Sequence, residues 1–322
     1  MSSKTIRLFT VSVLLMAGGM HAVAETVAPA TPTESVTVTG SRRVLHEFTK
    51  NFAAPTIVLG KMARWERHLC PRVTGQNEHY ARFITQRVQY LALAAGAPVN
   101  TDTSCTPNIE IVFTTTPQDL LDAVSKDEQY YLGYFSSVAE KKALGAVTRP
   151  IQAWYATEST DRKGRRHLDM GRSVVGGTSV GNFNSLSTAN GDIVSNSPGT
   201  SLADMPPFFA SYGSLLNDGI HSGFNHVLIV IDSTKLAGQD MVPLADYIAM
   251  LALTQINSLD TCQELPSIMN RMAAGCSHAV DGLTKYDLAY LEALYHMTAG
   301  RNGVLQRSEI ADLMLDRLTA MH

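Results

Sequence analysis

The pattern of hydrophobic and polar positions predicts one long amphipathic helix in the N-terminal half, over about residues 77–95. Apolar side chains recur there every three or four residues, which is the spacing of one buried helix face. Gly96 and Pro98 follow directly, and both residue types commonly end helices. The positions on the predicted buried face are Tyr80, Ile84, Val88, Leu91 and Ala95.

Four shorter segments predict strands, and the last three of them are rich in β-branched or aromatic residues. These segments are residues 61–70, 108–115, 151–157 and 226–232. Helical spacing and N-cap residues predict the remaining helices. They are residues 44–53, the stretches after Thr116 and Ser137, and residues 243–256, 283–297 and 308–321. Strands and helices mixed in this way predict a single α+β domain with a mixed sheet over residues 44–322.

The first 24 residues have the features of a secretory signal peptide. Lys4 and Arg7 precede a short apolar run, and Ala22 and Ala24 form an A-x-A cleavage signal. The apolar run is too short to cross a bilayer. We therefore expect cleavage after Ala24 and an exported mature chain, periplasmic or secreted, without a transmembrane segment. Residues 25–43 predict a linker rich in proline and threonine, followed by a short β-strand in the sequence ESVTVTGSRR at 34–43.

Composition and charge are those of a globular protein, with 45% hydrophobic and 17% charged residues. The formal net charge of −3 gives no electrostatic reason to expect a nucleic-acid partner. All four cysteines follow the expected cleavage site, and an even number in an oxidising compartment predicts two disulfides. Of the three possible pairings, proximity in sequence favours Cys70–Cys105 and Cys262–Cys276. A metal site is the alternative, although no C-x-x-C spacing is present.

The predicted helix at 243–256 contains the sequence ADYIAMLAL, residues 245–253, and a later segment reads LTKYDLAYLEALY. With the order of strands and helices before them, these segments resemble zincin metallopeptidases. They also resemble a family of exported proteobacterial proteins whose zincin-like domain is degenerate. In active zincins this helix carries H-E-x-x-H, whose histidines hold Zn²⁺ while the glutamate activates a water. Ala245 and Ala249 stand at the histidine positions, and Asp246 stands at the glutamate.

The resemblance implies a zincin-like α+β fold with a long N-terminal-half helix, a degenerate active-site helix and closing C-terminal helices. It also implies that the chain has no catalytic residue, no metal and no cofactor, because alanine offers no ligand atom. Asp246 is one methylene shorter than the glutamate it replaces. Active zincins hold a substrate as a strand added to the sheet edge, so the resemblance further implies a peptide site at such an edge.

Other candidate sites are less specific. Ser179 is an alternative nucleophile, because residues 177–181 match G-x-S-x-G, but that motif needs a preceding strand and a following helix. The surrounding Ser173–Ser201 segment is rich in Gly, Ser, Asn and Thr and predicts a long loop that either covers a cleft or is disordered. Residues 162–167 (RKGRRH) predict a solvated hairpin tip or a contact with an anionic surface. His221 and His226 lack the spacing of ligands on one element.

Together these observations favour an exported, non-catalytic binding protein whose partner is a peptide or an envelope protein. Two alternatives stay open. One is a hydrolase or peptidase that uses a metal or Ser179. The other is a structural envelope protein whose strand at 34–43 pairs with a partner.

Overall fold

The computed structural model describes residues 33–102, 104–170, 217–236, 238–276 and 280–321. Within these ranges the protein is α+β, as predicted, with seven α-helices around one mixed six-stranded sheet. The helices are α1 (Thr33–Phe52), α2 (Glu78–Ala95), α3 (Pro117–Asp127), α4 (Val138–Leu144), α5 (Met241–Leu253), α6 (Lys285–His296) and α7 (Gly303–Ala320). The strands are β1 (Ala63–Arg64), β2 (Pro71–Thr74), β3 (Ile109–Thr114), β4 (Ile151–Thr160), β5 (Arg166–Leu168) and β6 (His221–Asp232).

The sheet has the strand order β2-β3-β6-β4-β5, and the short β1 pairs with the beginning of β6. Strands β1, β2, β3 and β6 run parallel to their neighbours among these four. Strand β4 runs antiparallel to β6 over its whole length, and β5 pairs antiparallel with the end of β4. The far edge of the sheet is therefore a hairpin of one long strand and one short strand.

Several predicted helix ends are confirmed. The Asn77 side chain accepts the Tyr80 N–H at the start of α2, and Gly96 ends this helix with a φ of 88°. Thr284 and Asp287 form the predicted reciprocal capping box of α6. Tyr80 was predicted to be buried but is exposed, so the buried face of α2 begins one turn later, at Ile84.

The predicted strand at 34–43 is wrong, because α1 runs without interruption from Thr33 to Phe52. The β-branched alternation that suggests a strand changes helix propensity by only about 0.7 kcal/mol per residue. Extending an existing helix is favourable once a stable segment anchors it. That segment is the C-terminal half of α1, whose Leu45, Phe48 and Phe52 are buried. Phe48 and Phe52 pack edge-on against Tyr290 of α6.

The predicted strand at 61–70 is also wrong over most of its length. Only Ala63 and Arg64 pair with a neighbouring strand, and the regular strand β2 begins after Cys70. Side chains hold the segment instead. Arg64 donates to the carbonyls of Leu294, Tyr295 and Met297 at the end of α6.

Two strands are longer than predicted, and two helices have different ends. Strand β4 continues to Thr160, and β6 begins at His221, five residues before the predicted start. Helix α7 begins at Gly303 rather than at Ser308, and α5 ends at Leu253 rather than at residue 256. Because the C-terminal end of β4 and the N-terminal end of β6 are polar, a hydrophobicity pattern does not identify them as strand.

The two faces of the sheet carry cores of different size. Helices α1, α2, α5, α6 and α7 contribute to the larger core, which includes Ile151 and Phe224 on the sheet. On the other face a smaller core surrounds Trp154, with Leu121 of α3 and Leu132 of the 3₁₀ turn Gln129–Leu132. Along β4, odd-numbered residues from 151 to 155 face the larger core and Trp154 faces the smaller one.

Helix α5 is buried on all sides, from Pro243 to Leu253. A helix end leaves carbonyl groups without intrahelical partners, and burying them unpaired is costly. Aromatic side chains satisfy them here. The Tyr155 hydroxyl donates to the carbonyls of Leu251 and Thr254, Trp65 Nε1 to Ala252, and the Tyr295 hydroxyl to Leu253.

Both predicted disulfides are confirmed, Cys70–Cys105 and Cys262–Cys276, and the described residues contain no free cysteine. Among the described residues, none of the helices is long and apolar enough to span a membrane.

Replacing Tyr155 by Phe is expected to lower the free energy of unfolding by about 1–3 kcal/mol, because two buried carbonyls lose their donor. Urea denaturation measures this change. Tyr90→Phe is the matched control, since Tyr90 is 62% exposed and its hydroxyl should contribute little. Equal stability of both variants and the wild type would contradict the role given to Tyr155.

Burial raises the pKa of Tyr155, Tyr247, Tyr290 and Tyr295 above the ordinary range. The folded state therefore keeps these protons after the unfolded chain, with tyrosine pKa values of about 10, has lost them. Stability from this source is complete below about pH 10 and falls as pH rises further. A combined titration of tyrosinate absorbance and circular dichroism should show these residues ionising together with unfolding, and ionisation of all tyrosines in a folded chain would contradict this.

Candidate binding groove along the outer edge of strand β4

The three motif positions lie on the buried helix α5. Ala245 and Ala249 are fully buried and carry no atom that can bind a metal. Asp246 Oδ1 pairs with Arg87 Nε of α2 at 2.5 Å. Its Oδ2 accepts the Leu283 N–H at 3.1 Å. Asp246 therefore links α5 to α2 and to the residues that lead into α6.

The other sequence candidates that the structure describes contact different residues. Ser179 and the Ser173–Ser201 segment lie outside the described residues. His221 Nδ1 lies 2.7 Å from Glu66 Oε1. The buried His226 lies 3.7 Å from Glu110 and packs against the Tyr131 ring at a tilt of 47°.

Contact with His226 holds the pKa of Glu110 below its usual range. In the part of the chain that the structure describes, no group of three or more His, Cys, Asp or Glu side chains is arranged to hold a metal.

The basic cluster at 162–167 is largely engaged within the molecule. Arg165 pairs with Asp161 at 2.7 Å, and Arg166 lies 3.4 Å from Glu158. Arg162 donates to the Asp218 carbonyl. These contacts fix the β4–β5 hairpin, while the side chains of Arg165 and Arg166 stay 56% and 37% exposed.

Strand β5 covers only the end of the outer edge of β4. It pairs with Glu158–Thr160, and Asp169 N–H donates to the Thr157 carbonyl at 2.9 Å. Glu158 is 2% exposed and strengthens this corner. Arg67 contacts both of its carboxylate oxygens, at 3.1 and 2.6 Å, and Asn225 donates to it at 3.1 Å.

The direction of the remaining backbone groups follows from two hydrogen bonds. The Pro150 carbonyl accepts from Asp232 and therefore faces β6, whereas the Thr157 carbonyl faces β5. Successive residues of an antiparallel strand point their N–H and C=O groups to opposite sides. The groups of Ile151, Ala153 and Tyr155 therefore face the outer edge. Among the described residues, no hydrogen bond engages them.

Gly133 marks one end of this free edge. It has a φ of 81°, which favours glycine. A Cβ at this position would lie 2.3 Å from the Tyr155 carbonyl oxygen. The backbone after the 3₁₀ turn therefore packs directly on that carbonyl, and the fully free part of the edge comprises the Ile151 and Ala153 groups and the Tyr155 N–H.

A groove of about 500 Å³ runs along this edge, a volume in the range of ligand sites. Its floor is β4 from Gln152 to Tyr155 and Thr157. The wall on the smaller-core side is formed by Leu132, Tyr134, Ala143 and Leu144. The wall on the α5 side is formed by Leu251 and residues 255–260. Gln255 Oε1 in this wall has no hydrogen-bond partner among the described residues.

Comparison of the chain with models of known protein families, with curated proteins and with solved structures finds no match.

The sequence predicts β4 but not the groove beside it. A strand pattern at 151–157 shows neither which strands pair with it nor over what length. The free edge arises because β4 has ten residues and β5 only three. The polar residues Thr157–Thr160 extend β4 beyond its apolar part. A hydrophobicity pattern therefore does not reveal that β4 is longer than β5.

The Asp246–Arg87 pair predicts an asymmetric response to mutation. Arg87→Ala leaves the carboxylate of Asp246, 1% exposed, without a charged partner and should cost about 3–5 kcal/mol of stability. Asp246→Ala should cost less, about 1–3 kcal/mol, because the Arg87 side chain is 30% exposed and can reach water.

Urea denaturation of the two single variants and the double variant tests this order. The double variant should be more stable than Arg87→Ala alone, because it removes the unpaired buried charge. A larger loss for Asp246→Ala than for Arg87→Ala would contradict the structural role of the pair.

Proposed function

We propose that this protein is a non-catalytic binding protein that takes up an extended polypeptide segment as an additional strand on the outer edge of β4. The observation that carries the proposal is the row of outward N–H and C=O groups at Ile151 and Ala153, together with the Tyr155 N–H, beside a groove. Another strand is the structure whose backbone groups match that row in spacing and direction.

The chemistry of the former motif positions supports a non-catalytic role. In a zincin-like interpretation, the groove lies near the helix that would carry the metal ligands, but that helix has Ala245, Asp246 and Ala249. Asp246 is committed to Arg87 and Leu283. The proposal includes export to the periplasm or beyond, which the two disulfides support because such bonds persist in oxidising compartments.

The test uses random heptapeptides displayed on phage, selected against the oxidised mature chain. Enriched sequences are made as labelled peptides, and their affinity is measured by fluorescence anisotropy. Ala153→Pro removes one outward N–H without removing a bond to β6, a place where edge strands tolerate proline. We expect it to weaken binding by about tenfold or more, since one hydrogen bond and the close approach of the strand are lost.

Ala153→Val is the matched control, because it adds similar bulk and keeps the N–H. It should bind with nearly wild-type affinity. A second measurement does not depend on the folding of the proline variant. Two sets of peptides are made, one N-methylated at odd positions and the other at even positions. One set should lose affinity and the other should keep it, since only one set of N–H groups faces β4.

Hydrogen exchange separates the remaining outcomes. The Ile151, Ala153 and Tyr155 amides should exchange quickly in the chain alone and become protected when peptide is bound. The proposal fails if selection enriches no peptide, or if methylation at every position has the same effect. It also fails if these amides are already protected in the chain alone, because the edge is then filled within the molecule.

A further inference from the structure

We infer that the groove selects segments in which apolar side chains alternate with uncharged polar side chains. This inference rests on the proposed function and concerns which sequences the edge of β4 accepts. It follows from the chemical difference between the two walls of the groove.

The wall on the smaller-core side is apolar. Leu132 is buried beneath the groove, and Leu144 packs with it around Trp154. Trp154 Nε1 donates to the Leu144 carbonyl at 2.7 Å, which fixes this wall to the floor. Ala143 lies at the exposed rim of the same wall. A side chain directed to this side meets hydrocarbon, and an apolar side chain gains free energy by covering it.

The wall on the α5 side carries amide, hydroxyl and carboxylate groups beside its apolar residues. Leu251, Ile256 and Leu259 of this wall pack into the larger core, whereas Asn257 and Asp260 are exposed. Gln255, Asn257 and Ser258 line it together with Asp260. Arg149 Nε donates to Asp260 Oδ1 at 2.9 Å, and a second guanidinium nitrogen contacts Oδ2. This pairing lowers the pKa of Asp260 and balances its charge. Gln255 Oε1 is itself buried in this wall and has no hydrogen-bond partner among the described residues.

The geometry of an added strand places its side chains on these walls in turn. Successive side chains of a strand point to opposite faces, and a strand added to β4 continues its pleat. Tyr155 points to the α5 side, where its hydroxyl reaches Leu251 and Thr254, and Trp154 points to the other. The added residues must therefore alternate between the apolar wall and the wall on the α5 side.

Two synthetic heptapeptides of identical composition test the inference. One alternates serine and leucine, and the other carries its three leucines as a central block between pairs of serines. Because the alternating peptide can place every leucine on the apolar wall, it should bind about tenfold more tightly or better. Fluorescence anisotropy of the labelled peptides measures the difference.

Variants of α4 provide the matched control. Ala143→Glu adds a charge to the apolar wall at an exposed helical position, so it should weaken binding of the alternating peptide by about tenfold. Val138→Glu adds the same charge to the same helix, at an exposed position that does not line the groove. It should leave the affinity unchanged.

The outcomes separate this inference from the proposed function. Equal binding of both peptides, with loss of both in Ala153→Pro, would overturn the alternation while strand addition stands. Binding of either peptide that is unaffected by Ala153→Pro would mean that the edge of β4 is not used at all. Equal weakening by Ala143→Glu and Val138→Glu would indicate general charge repulsion and would also overturn the inference.

Discussion

The C-terminal end of helix α5 is the constraint on which the rest of the structure depends. The helix is apolar and surrounded by protein, so the carbonyls from Leu251 to Thr254 have no access to water. Three aromatic residues from distant parts of the chain, Trp65, Tyr155 and Tyr295, bring donors to these carbonyls. Each hydrogen bond fixes the position and orientation of its aromatic side chain. The three residues thereby hold β4, α6 and the segment after β1 against the end of α5.

Tyr155 connects this constraint to the groove. Its ring crosses from β4 to the end of α5, and its hydroxyl holds the loop that begins at Thr254. That loop forms most of the wall of the groove on the α5 side. On the opposite face, the Trp154 indole holds the apolar wall through the Leu144 carbonyl. Two neighbouring residues of one strand thus set the positions of both walls, while the backbone between them faces outward.

The sequence predicts those parts of the fold that local chemistry controls. The Thr284–Asp287 box, the end of α2 at Gly96 and both disulfides follow from residue types at short spacing. The strand predictions for 34–43 and 61–70 are wrong for the same reason, because partners distant in sequence decide the conformation of both segments. Tyr290 anchors α1, and the end of α6 receives Arg64. The groove is not visible in the sequence either, because an unpaired edge depends on where β5 stops and not on any residue type within β4.

The contacts of residues 61–64 have a consequence for the order in which the molecule is completed. Lys61 donates to Gly300, Met62 N–H to Gln306, and Arg64 to Met297, over separations of 233 to 244 residues. A chain that emerges from a ribosome or a translocation pore N-terminus first cannot make these bonds until its last helices arrive. Closing loops of this length is slow relative to local folding. The contacts of residues 61–64 therefore form only after α6 and α7 are available.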